Sequence, residues 1–109
     1  MLLPHQRYRH RLRLVRWPAT VLTPQTQIEG QVENVSPLGA LISFTEAPPL
    51  EWDLRLIIKP SNHQTINVLA KMIWSTVLTT DEGSPRFGVG VEFTRISDGD
   101  CQFLAANPG

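Results

Sequence analysis

The sequence predicts an all-β domain, a small barrel or sandwich of about six strands followed by one short helix. Three observations carry this. Apolar residues recur mostly at period two or in short β-branched runs, and clusters of Pro, Gly, Asn, Asp and Ser separate those runs at regular spacing. No strand alternates with a helical pattern in the βαβ manner. The 109 residues are the length of one domain.

Taken in order, residues 17–22 (WPATVL) read as the first strand, with Pro18 near its start, where a missing N–H is tolerated. TPQT turns the chain into a second strand, residues 28–35 (IEGQVENV). Ile28 and Val32 share one parity with Gly30 between them. Val35 falls on the other, which calls for a bulge or the strand's end. Residues 39–44 (GALISF) form a third strand, stopped by EAPPLE, where Pro48 and Pro49 forbid both helix and central strand. Residues 54–59 (LRLIIK) alternate and end at the turn PSNH. Residues 65–78 (TINVLAKMIWSTVL) form one long or bent strand, which the polar loop TTDEGSP joins to residues 86–93 (RFGVGVEF) as a hairpin, with Val89, Val91 and Phe93 on one face. Ser97 or Asp98 caps a terminal helix of about two turns that turns Phe103 and Leu104 inward and needs docking to be stable.

Charge is segregated along the chain. The formal net charge is zero, yet residues 1–28 carry five Arg and no acid, while residues 29–109 carry five Lys or Arg and all ten Asp and Glu. A neutral total gives no global attraction to nucleic acid or acidic membranes. Segregation on this scale suggests that the positive arm meets an anion, either its own body or a ligand. The single Cys101 excludes an internal disulfide and fits a reducing compartment. The start MLLPHQRYRH lacks the apolar run of a signal peptide, and no apolar run is long enough to span a bilayer, so a cytoplasmic location without membrane insertion is expected. No Cys/His cluster has metal-ligand spacing, and no nucleophile, base or carboxylate pair forms a catalytic constellation, so neither a metal, a cofactor nor an enzyme is expected.

Two short stretches carry the chemistry. RYRHRLRLVR (residues 7–16) is rich in Arg with no Lys. Guanidinium is planar, permanently charged and forked, which suits phosphate and the O6/N7 edge of guanine, and it also stacks on flat rings. Taken by itself it could equally be a solvated basic tail. NVSPLG (residues 34–39) is a turn whose Asn34 and Ser36 oxygens would face outward, with Gly39 free to take unusual backbone angles. Alone, it reads as an ordinary strand connection.

Together, R-x-x-x-R followed about two dozen residues later by N-x-S-x-x-G at the head of a six-stranded body resembles the PilZ domain family, receptors for cyclic di-GMP. The resemblance runs through the strand containing MIWS and the closing GVGVEF. It implies a six-stranded antiparallel β-barrel with a short C-terminal helix, residues 1–16 acting as a ligand-clamping arm and residues 17–109 as the barrel. It implies that Arg7 and Arg11 grip the ligand's phosphates or guanine edges, that Asn34 and Ser36 contact guanine, and that Gly39 shapes the turn. Arg9 and Arg13 form the same R-x-x-x-R spacing and are the alternative register. Gln6 stands where many members carry a second adjacent Arg, Asn34 where many carry Asp, and Leu38 where Gly is common. Trp74 is either rim packing or a surface against a guanine, and Gly90 permits close approach from beneath. The resemblance further implies an unidentified downstream protein partner, with motility and biofilm regulation among the outputs of relatives, and no DNA. Two other readings stand beside it: a PilZ-like adaptor acting by protein contact alone, and a small barrel binding single-stranded nucleic acid. The acidic body and only eight Phe, Tyr and Trp residues weigh against the last.

Overall fold

The computed structural model describes residues 13–47, 53–78 and 85–106. Six strands and one helix follow one another: β1 (Arg13–Leu22), β2 (Gln27–Ser36), β3 (Gly39–Phe44), β4 (Asp53–Ile58), β5 (Ile66–Leu78), β6 (Arg86–Arg95) and α1 (Asp98–Ala106). They close into a barrel in the order β1-β2-β3-β6-β5-β4, and every pairing is antiparallel, including the seam between β1 and β4. Closure leaves no open sheet edge to recruit another chain. At the seam the Pro18 carbonyl accepts the Lys59 N–H at 2.9 Å, so Pro18, which has no N–H to give, still contributes its acceptor.

Alternation fills the interior. Ala19 and Val21, Ala40, Ile42 and Phe44, Leu54, Leu56 and Ile58, Ile66, Val68 and Ala70, and Val89 and Val91 all point inward and are buried. A barrel this narrow is filled by side chains rather than hollow. Gly30 makes room for the largest of them: a Cβ there would lie 2.7 Å from Phe44 Cε1 and 2.9 Å from the Ser43 carbonyl oxygen.

The predicted strand order along the chain and the final hairpin are as expected. The first strand, however, begins at Arg13 rather than residue 17, because residues 13–14 add two further pairs with β2, Arg13 with Val35 and Leu14 with Asn34. Val35 changes parity through a bulge. Val32 pairs with Ile42 and Asn34 with the adjacent Leu41, leaving Glu33 as the extra residue.

In α1, Ser97 Oγ accepts the Asp100 N–H at 3.1 Å, and Asp98 and Asp100 stand in the first turn, where the helix dipole favours them. Leu104 enters the core with no exposed surface, and Phe103 stacks on Trp17 at 6.1 Å between ring centroids and on His63 at 3.8 Å. A nine-residue helix does not hold itself together in water. Leu104→Ala is therefore expected to lower unfolding free energy by about 2–5 kcal/mol, read from urea melts, with loss of helical circular dichroism ahead of the barrel. No described helix is long and apolar enough to cross a membrane.

Candidate ligand-binding surface

The β2–β3 turn is built around Ser36. Its side chain is fully buried, and Oγ accepts the Leu38 N–H at 3.1 Å. Leu38 in turn offers its carbonyl to the Phe93 N–H at 2.8 Å, tying the turn to β6. The sequence reading had Ser36 facing outward beside Asn34. The hydroxyl is instead turned into the hairpin, where it takes up the Leu38 N–H across Pro37, which has no N–H of its own. Gly39 pairs with both Ser36 and Glu92 at the point where the chain enters β3. Asn34 lies on the outer surface, half-buried.

Cross-strand register gathers a surface from distant parts of the chain. Directly paired residues share a face, and the pairs Leu14–Asn34, Asn34–Leu41, Leu41–Gly90 and Gly90–Trp74 run in one row across β1, β2, β3, β6 and β5. The inward neighbours Val35, Ala40 and Val91 are buried, so this row is on the outside. Trp74 lies directly against the backbone of β6: a Cβ on Gly90 would sit 2.3 Å from Trp74 Cε2 and 2.4 Å from Nε1. The indole N–H is buried and has no hydrogen-bond partner among the described residues. Trp74 is thus packed on the outer barrel wall, in line with Asn34.

Next to this row is a polar cluster that sequence reasoning missed. Glu33 Oε2 accepts from Gln31 Nε2 at 2.9 Å and from Ser43 Oγ, and Ser43 Oγ accepts from Arg86 Nε at 3.1 Å and Nη2 at 2.7 Å. The available signal was the three-residue spacing of Val32 and Val35, which forces two successive residues, Glu33 and Asn34, onto the same outer face.

The arginines separate by location. Arg7, Arg9 and Arg11, with Gln6, lie outside the described residues. Arg13 pairs with Val35 on the inner face and is only 5% exposed, its guanidinium carbon 5.0 Å from the Trp17 ring centroid and 5.3 Å from that of Phe103. Burial lowers its pKa from the usual arginine value. Among the described residues its Nε and Nη1 have no hydrogen-bond partner. Two unmet donors cost about 1–3 kcal/mol each, against roughly 0.5–2 kcal/mol from the cation–π contacts. Arg13→Met, which keeps the ring contacts, is expected to raise unfolding free energy by about 1.5–4 kcal/mol in thermal or urea melts, the difference between those two contributions.

Elsewhere a cavity of about 300 Å³ opens between β4, β5 and β6, lined by Arg55, Asn67, Val68, Leu69, Arg95, Ile96 and Ser97. Among the described residues no cluster of His, Cys, Asp and Glu could hold a metal ion.

The family model of the PilZ domain matches residues 5–106. No curated protein matches the chain. Among solved structures, the chain is similar to the Bacillus subtilis inhibitor of motility MotI/DgrA, with 20% identity, a TM-score of 0.70, and coverage of 87% of this chain and 46% of that one. It is also similar to the PilZ domain of YcgR from Escherichia coli with c-di-GMP, at 12% identity and a TM-score of 0.71, covering 91% of this chain and 86% of that one. A third is K. pneumonia MrkH in its apo state, at 14% identity and a TM-score of 0.70, covering 88% and 46%. The chain thus spans somewhat less than half the length of MotI and MrkH.

Proposed function

Because the chain belongs to the PilZ domain family, we propose that it is a receptor for cyclic di-GMP. In this reading Arg7 and Arg11 clamp the ligand onto the outer surface that holds Asn34 and Trp74. The observation that carries it is the cross-strand row. Asn34, Leu41, Gly90 and Trp74 are contiguous on one face, beside the residues where β1 begins. At about 3.3–3.6 Å per extended residue, the chain allows Arg11 a reach of about 7 Å from Arg13 and Arg7 about 22 Å, enough to span to the row. The E. coli YcgR PilZ domain, similar in fold, is a structure with c-di-GMP.

The parts suit such a ligand. Cyclic di-GMP carries two phosphodiester charges and two guanines. The forked arginines meet phosphates or the guanine O6/N7 edge, the Asn34 amide meets a base edge, and the Trp74 indole supplies an aromatic surface for a base. Ser36 and Gly39 serve by setting the turn that presents Asn34. The burial of Arg13 supports Arg7 and Arg11 over Arg9 and Arg13 as the clamping pair. Arg13→Met is accordingly expected to retain ligand affinity within about threefold, less than the 1.4 kcal/mol that makes a factor of ten.

Signal relay follows from the same closure. Leu14 is 81% exposed and Leu38 is 46% exposed, both at the Asn34 end of the barrel. An arm folded over bound ligand covers these side chains and changes the face offered to a downstream protein. No catalytic step is part of the proposal. Calorimetric titration with cyclic di-GMP, with GTP as control, tests it. Micromolar or tighter binding specific to the cyclic dinucleotide supports the receptor reading. Absence of heat and of any shift in melting temperature would overturn it and leave the arm as a protein-docking segment.

A further inference from the structure

We infer that Glu33 reads the Watson–Crick edge of guanine and confers base specificity on this surface; the inference rests on the cyclic di-GMP reading above. Glu33 is the residue the bulge adds to β2. Val32 and Val35 both point into the core, so Glu33 and Asn34 are forced out side by side, without the usual alternation.

The carboxylate is held in place. Gln31 Nε2 and Ser43 Oγ both donate to Oε2, and Ser43 is itself fixed by two N–H groups of Arg86. Oε1 accepts no hydrogen bond from any described residue. An ionised carboxylate has about four lone-pair sites, so two bonds on one oxygen leave the other unused. A surface glutamate ordinarily samples many rotamers; here the bonds to one oxygen restrict the whole carboxylate, on the same outer face as Asn34. Pre-organisation of this kind lowers the cost of ligand binding.

Guanine presents, in order along one edge, the O6 acceptor and the N1–H and N2–H donors. A side-chain amide beside a carboxylate is the complementary sequence: Asn34 Nδ2 donates to O6 while Glu33 Oε1 accepts from N1–H and N2–H. Adenine places its N1 lone pair where the carboxylate needs a donor, and inosine lacks the N2 amino group. Glu33 is therefore the residue that distinguishes guanine from both. Its negative charge is offset locally by Arg86, on the other side of Ser43.

The test compares cyclic di-GMP with cyclic di-IMP and cyclic di-AMP on the wild-type chain and on Glu33→Gln. Gln is isosteric but presents only one acceptor oxygen and no charge. A hydrogen bond to a charged group is worth about a tenfold to hundredfold change in affinity. The wild type is expected to bind cyclic di-GMP at least tenfold more tightly than cyclic di-IMP, with cyclic di-AMP weaker still. Glu33→Gln is expected to lose at least tenfold on cyclic di-GMP and less on cyclic di-IMP, which keeps the N1–H donor but has no N2–H, so that the preference shrinks to about threefold or less. A wild type that binds both equally overturns the inference without any mutant. So does a Glu33→Gln chain, melting like the wild type, that keeps the full preference. A wild type that binds none of the three overturns the receptor reading itself, a different failure from the other two.

Discussion

Arg11→Ala is expected to weaken cyclic di-GMP binding by roughly tenfold to hundredfold or more, with no change in melting temperature in the absence of ligand. The size follows from charge-assisted hydrogen bonds to phosphate or guanine, each worth about 1.5–3 kcal/mol net. A planar fork can make two at once. Lys at this position restores charge but not the fork, so Arg11→Lys is expected to recover only part of the loss. Arg7→Ala should behave similarly, whereas Arg13→Met should not, since that guanidinium is committed to Trp17 and Phe103. Calorimetry on the four chains checks the set. Equal losses at Arg11 and Arg13 would indicate a general electrostatic effect of the arm rather than a clamp.

Gly90→Val is expected to damage both stability and binding. The new Cβ would fall 2.3 Å from Trp74 Cε2 and 2.4 Å from Nε1, and an indole ring is not the flexible tip of a chain that can step aside. The ring must leave the barrel wall or β6 must shift away from β5. Overpacking of this kind costs about 1–3 kcal/mol, and displacing Trp74 removes the aromatic surface proposed for a base. The indole N–H resonance of Trp74 should move, and ligand affinity should drop at least tenfold if a base stacks there, as aromatic stacking is worth about 1–3 kcal/mol per base. A double-mutant cycle isolates the cause. In a Trp74→Ala background the penalty of Gly90→Val should largely disappear, because the two residues are in contact. An unchanged penalty would place the strain in the backbone.

Much of the fold is legible in the sequence because closed antiparallel barrels alternate inward and outward residues, and each turn has its own chemistry. Residues 39–44 and 86–93 alternate without interruption and match β3 and most of β6. The misfit of Val35 announces the bulge. What local patterning could not reveal is register. Nothing near Asn34 in the chain indicates that Leu41, Gly90 and Trp74 share its row, since that depends on pairings among five strands. The inward turn of Ser36 depends on a donor two residues away and a proline between them. The start of β1 was hidden because Arg13 and Arg16 read as part of a charged arm, yet Arg13 is buried by two aromatic rings, one of them on α1. Glu33 went unnoticed for a related reason: its fixed carboxylate depends on Ser43 and Arg86, ten and fifty-three residues further along the chain.

The measurement that tests the central claim most directly is chemical-shift mapping of the ¹⁵N-labelled chain as cyclic di-GMP is added. The account predicts saturable amide shifts at residues 33–36, 38 and 39, Leu41, Gly88 and Gly90 and at the Trp74 indole N–H, with little change around Arg55, Asn67 and Arg95. No shifts, or shifts centred on the cavity between β4, β5 and β6, would contradict it.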